Sequence, residues 1–145
     1  MSVEVTIIDS QPCAVYQDVV YDREVTLEFN DGTKIGAFDP RATVLESLIG
    51  NTLLVELSLV VSPENAALTD EQTSRVESNP EEPLGWRYHD FYGRVVERQS
   101  PSGVSLDVGV GTVGLSLDSE AWQGLDDGSF LHVRPSRVDV SVETE

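Results

Sequence analysis

Residues 25–33, VTLEFNDGT, recur as VSLDVGVGT at 104–112. Upstream, Tyr16, Val19 and Val20 align with Tyr92, Val95 and Val96; downstream, Gly50-Asn51-Thr52-Leu53 falls opposite Gly128-Ser129-Phe130-Leu131. Each copy reads as strand, strand, tight turn, strand, short helix, glycine, strand. This order constrains the fold more than any single motif, because a unit too small to bury its own apolar face must be covered by its neighbour.

In the first half, 3–8, 14–21, 24–29, 34–38 and 52–61 have the alternation of strands. Asn30-Asp31-Gly32 supplies residues that tolerate the positive φ of a tight hairpin turn. Asp39-Pro40 reads as a helix start, with Val44, Leu45, Leu48 and Ile49 on one face and Gly50 at the end. The second half repeats the plan with strands at 92–98, 104–108 and 113–117, a short helix near 119–125 carrying Trp122, and a strand over 129–142 broken at Pro135. Five strands with a helix before the last part are similar to the order of an OB-like small barrel. The expected class is therefore all-β, or α+β with two short helices, as a small OB-like barrel with pseudo-repeated halves.

The halves, 1–61 and 86–145, are separated by an acidic stretch over 62–85 with three prolines and a single arginine, read as a solvated connector. Each half alone is marginal in size, so one compact unit over 1–145 is expected.

The chain carries 26 Asp and Glu against 9 Lys and Arg, a net charge of -17, yet 39% of it is hydrophobic, enough to build a core. Lys34 is the sole lysine. Carboxylate excess, scarce Lys and plentiful Val, Gly, Ser and Thr resemble the cytoplasmic proteins of salt-loving archaea, and the resemblance implies a cytoplasmic protein. Screening fits this, since the Debye length falls to about 3 Å at 1 M salt and removes most of the self-repulsion. Cys13 is alone, so neither a disulfide framework nor a CxxC pair exists. No apolar run is long enough to span a bilayer, and the first residues lack the pattern of a signal peptide, so no membrane association is expected.

Gly109-Val110-Gly111-Thr112-Val113-Gly114 matches GxGxxG letter for letter, but strand-like residues follow where a phosphate loop would open a helix, so a hairpin turn is expected. His89-Asp90 lacks HxH, HExxH or CxxC company and reads as a surface histidine beside a carboxylate. Asp126-Asp127-Gly128 has no acidic residue to close a calcium loop. No nucleophile, base and oxyanion set can be named, so no catalytic residue, metal or cofactor is expected.

One segment departs from this background. Residues 86–94 concentrate Trp86, Arg87, Tyr88, His89, Phe91, Tyr92 and Arg94, and Arg98, His132, Arg134 and Arg137 extend the basic character. Strand alternation would put Trp86, Tyr88, Asp90 and Tyr92 on one face and Arg87, His89, Phe91 and Gly93 on the other. Rings and guanidinium groups suit a binding surface. The expected function is a non-enzymatic binding or adaptor module, most naturally for a protein partner, with single-stranded nucleic acid on an OB-like face as the alternative.

The charge excess predicts that stability depends on salt. The thermal midpoint followed by circular dichroism should rise as KCl increases from low to molar concentration, and a flat response would remove the halophile reading.

Overall fold

The computed structural model describes residues 2–78, 89–98, 103–116 and 126–142. The expected helix near 119–125, with Trp122, lies outside these residues. Among them no α-helix occurs, and the chain is an all-β small barrel of OB-like type.

The first half contributes β1 (Val3–Pro12), the small hairpin β2 (Val15–Tyr16) and β3 (Val19–Val20), β4 (Arg23–Phe29), β5 (Lys34–Asp39) and β6 (Thr52–Val60). Alternation decides which side chains enter the core. Val3, Val5 and Ile7 of β1, Val25, Leu27 and Phe29 of β4, and Val55, Leu57 and Leu59 of β6 are all buried, with charged and hydroxyl residues between them. Hydrogen bonds join β1 to β4, β4 to β5 and β6 back to β1. The ring is completed by a strand from the far end of the chain, β13 (Arg137–Val142), which lies parallel to β5 and antiparallel to β6. Five strands thus form a closed ring that leaves none of the five at an open edge.

The second half contributes β9 (Asp90–Arg98), β10 (Gly103–Asp107), β11 (Thr112–Ser116) and β12 (Phe130–Val133). Here β10 pairs with β9 and β11, β9 pairs with β12, and β11 lies parallel to β6. Each half therefore lends a strand to the other.

The repeat is real, but one end of its alignment shifts. β1 corresponds to β9, each with one bulge against its neighbour, at Ile8 and at Val96. The backbone contacts beside the bulges coincide as well. Ile7 N donates to Asn51 O at 3.0 Å and Gly50 N to Ile7 O at 2.7 Å; Val95 N donates to Ser129 O at 2.8 Å and Gly128 N to Val95 O at 2.7 Å. Val95 thus matches Ile7, not Val19, and 15–20 has no counterpart among the described residues. That segment is a two-stranded ribbon instead of one strand, because Gln17 and Asp18 both take positive φ and turn the chain between β2 and β3.

Two further expectations change. Residues 40–49 form a loop with only a 3-10 turn at Glu46–Leu48. Asp39 does not start a helix: its carboxylate accepts Val44 N at 2.6 Å and Arg41 N at 3.3 Å, wrapping the loop around itself, and Ala42 takes φ 53. Only Val44 of the expected apolar face is fully buried, while Leu45 and Ile49 are exposed. The stretch 62–78 is not bare connector either. β7 (Ala66–Leu68) pairs with β12 and β8 (Arg75–Glu77) with β9, burying Ala66 and Val76.

Both turn readings hold. Phe29 N donates to Thr33 O at 2.8 Å across Asn30-Asp31-Gly32, and Val108 N to Gly111 O at 3.0 Å across the glycines of the GxGxxG string, which joins β10 to β11.

Gly93 is demanded by packing. A Cβ there would stand 2.6 Å from Asp107 O and 2.8 Å from Leu106 Cγ, so β9 and β10 could not keep their approach. Gly93→Ala should cost about 1–3 kcal/mol in chemical denaturation through overpacking. Gly32→Ala meets open space but must hold φ 91, and should cost about 1–2 kcal/mol.

Candidate functional site

The strand register of β8, β9 and β12 collects the polar residues of the second half on one outer face. Asp90, Tyr92 and Arg94 of β9 point outward, while Phe91 and Val95 point into the core. Tyr92 stands opposite His132 on one side and Arg75 on the other. This row is a physical stack: the Tyr92 and His132 rings are parallel within 2° with centroids 4.4 Å apart, and the Arg75 guanidinium lies 3.8 Å from the Tyr92 centroid.

Asp90 ties the next row to it. One carboxylate oxygen lies 2.7 Å from His132 Nε2 and also accepts Arg134 Nε at 3.0 Å; the other accepts Arg134 Nη2 at 3.1 Å. Burial by itself would raise the Asp90 pKa, but the hydrogen bonds from Arg134 and His132 outweigh it and hold the carboxyl below the usual range. Arg75 has its own carboxylates, Glu77 at 2.7 Å on Nε and Glu71 at 3.3 Å on Nη2, and a short contact with the Thr73 hydroxyl. Burial and the nearby Glu77 and Asp90 raise the Tyr92 phenol.

Tyr92, His132 and Arg134 of the expected surface therefore come together, and Arg94 shares their face. The other residues do not join them. His89 and Phe91 are fully buried, because inward alternation on this strand leads to the core; Gly36 N donates to His89 Nε2 at 3.4 Å. His89 is thus an interior group and not a surface histidine. Arg137 lies on β13, where its Nε and Nη2 hold Asp139 at 2.6 and 3.1 Å beside the Phe38 ring. Arg98 closes β9 opposite Val104. Trp86, Arg87 and Tyr88 lie outside the described residues.

Sequence reasoning missed Arg75, which sits in the stretch read as connector; the short alternation Arg75-Val76-Glu77 was its one local signal. On this face the Nε/Nη2 edges of Arg75 and Arg134 are filled by carboxylates, as is that of Arg137 on β13. Among the described residues no group of His, Cys, Asp and Glu is placed to hold a metal ion.

No family model matches the chain, and no curated protein matches it. A solved structure does. The crystal structure of the cytoplasmic molybdate-binding protein ModG, with molybdate bound, is similar over 99% of this chain and 96% of its own, with a TM-score of 0.51 and 18% identity. The likeness supports the small-barrel fold over the whole length of both chains. It also corrects the partner expectation: the protein sharing this architecture binds molybdate, a small ligand, and neither a protein partner nor single-stranded nucleic acid is sustained. No helix among the described residues is long and apolar enough to cross a membrane.

The lowered Asp90 pKa sets the sign of a pH effect. Stability from its ionised form is complete above the unfolded-state pKa and is lost as pH falls through the lower folded value. Asp90→Asn should therefore cost about 1–3 kcal/mol at neutral pH and much less in strong acid, measured by denaturation at each pH.

Proposed function

We propose that this chain is a non-enzymatic binding module for a small ligand, and that the ligand is a tetrahedral oxyanion of the molybdate class. The observation that carries the reading is the end-to-end correspondence of the fold with a molybdate-bound protein, 99% of one chain against 96% of the other. A match confined to one barrel would speak only for a common β unit. The reading takes the two halves as one interdependent unit, because β13 completes the ring of the first half. It also takes the halophile cytoplasm implied by composition as the working environment.

Charge is the main physical obstacle. A net charge of -17 repels a dianion in dilute buffer, so a site must rely on local N–H donors and on screening by salt. Calorimetric titration in molar KCl should show saturable binding of molybdate and tungstate. Absence of binding by molybdate, tungstate, sulfate and phosphate to the folded protein would overturn the proposal.

A further inference from the structure

Three of the arginines use the same edge of the guanidinium. In Arg75, Arg134 and Arg137, Nε and Nη2 form a fork occupied by carboxylate oxygens. Arg23 differs. It begins β4 at the end of the first barrel, opposite Pro12 of β1 and Asp39 of β5, and only 8% of the residue is exposed. Its Nη1 donates to Ser10 Oγ at 3.3 Å and lies 3.7 Å from Glu46. Its Nε is buried and has no acceptor among the described residues, and no acceptor there meets Nη2.

A buried N–H without a partner is costly, and an empty guanidinium fork is a matched receptor for two oxygens on one centre. The obvious internal acceptor is taken. Asp39 is buried on the neighbouring strand, but its oxygens receive Val44 N, Arg41 N and the Thr43 hydroxyl. Ser10 donates its own proton to Val44 O at 2.6 Å. These bonds fix the loop over 40–44 beside the guanidinium and leave the fork without an acceptor among the described residues. Glu46, exposed and beyond hydrogen-bond distance, is the replaceable neighbour, and molar salt screens it.

We propose that the Nε/Nη2 edge of Arg23, at the Ser10–Asp39–Val44 end of the first barrel, binds two oxygens of a small oxyanion. The inference deepens the binding function proposed above and rests on it. The flanking carboxylates favour a compact ligand that presents one O–X–O edge and keeps its remaining charge toward solvent, past Glu46. Ligand entry requires the loop over 40–48 to shift, because Nε itself is inaccessible.

The test combines calorimetry with proton–nitrogen spectra of the arginine Nε–H groups, with Arg23 assigned through its own backbone in the wild-type protein. Titration with molybdate in molar KCl should move the Arg23 Nε–H resonance with the same midpoint as the calorimetric signal. Arg23→Lys keeps the charge and loses the fork, and should weaken molybdate about tenfold or more. If Arg23→Lys does not fold, the wild-type Nε–H titration decides alone. Molybdate binding with an unmoved Arg23 Nε–H overturns this site and leaves the binding function standing. No binding of any oxyanion by the folded wild-type protein overturns the function and the site with it.

Discussion

The antiparallel pairing of β6 with β13, from Arg137 opposite Val60 to Val142 opposite Val55, is the contact on which the architecture depends. β13 follows the whole second half in sequence but lies inside the ring of the first, with Val138 and Val140 buried in that core. Along its other edge, β6 receives β11 of the second half in parallel. Two β units of marginal size thereby share a hydrogen-bonded centre, so neither leaves its exchanged strand as an open edge. Removing β13 would expose β5 and β6 together.

Charge follows a different logic. With 26 acidic and 9 basic side chains, carboxylates are plentiful: Arg75 and Arg137 take theirs from residues two to four positions away, whereas strand register selects the partner of Arg134 and the ring beneath Arg75. Arg134 meets Asp90 because β12 pairs with β9; Arg75 stacks on Tyr92 because β8 pairs with β9 on the opposite side. Among the described residues, Tyr92, His132 and Arg134 are consequently engaged in cross-strand contacts. Arg23 lies where register brings it beside Asp39, yet the loop after β5 claims that carboxylate first. A local loop conformation thus keeps the Asp39 carboxylate from Arg23.

Much of the fold was legible from residue order. Alternation in Val3-Glu4-Val5-Thr6-Ile7 and in Val25-Thr26-Leu27-Glu28-Phe29 predicts half-buried strands, and the Asn30-Asp31-Gly32 turn forms where its positive-φ tolerance places it. The helix expected over 40–49 fails because its apolar residues answer to tertiary cover: Val44 is drawn into the core beside Ser10, and Asp39 holds the intervening backbone in a loop. Of the candidate surface, Tyr92, Arg94, His132 and Arg134 share a face by alternation and register. His89 and Phe91 share the other, so adjacency in sequence overstated their kinship.

The chain order by itself indicated an acidic, mostly β, twice-written chain of small-barrel type, because period-two hydrophobicity, turn chemistry and repetition are local properties that survive without knowledge of contacts. Only the tertiary structure decided that β13 crosses into the first half, that Arg75 joins the Tyr92 stack, and that Arg23 is buried with no acceptor for its Nε among the described residues. Those outcomes depend on which distant strands pair and in what register, and pairing is a long-range choice that no window of neighbouring residues contains.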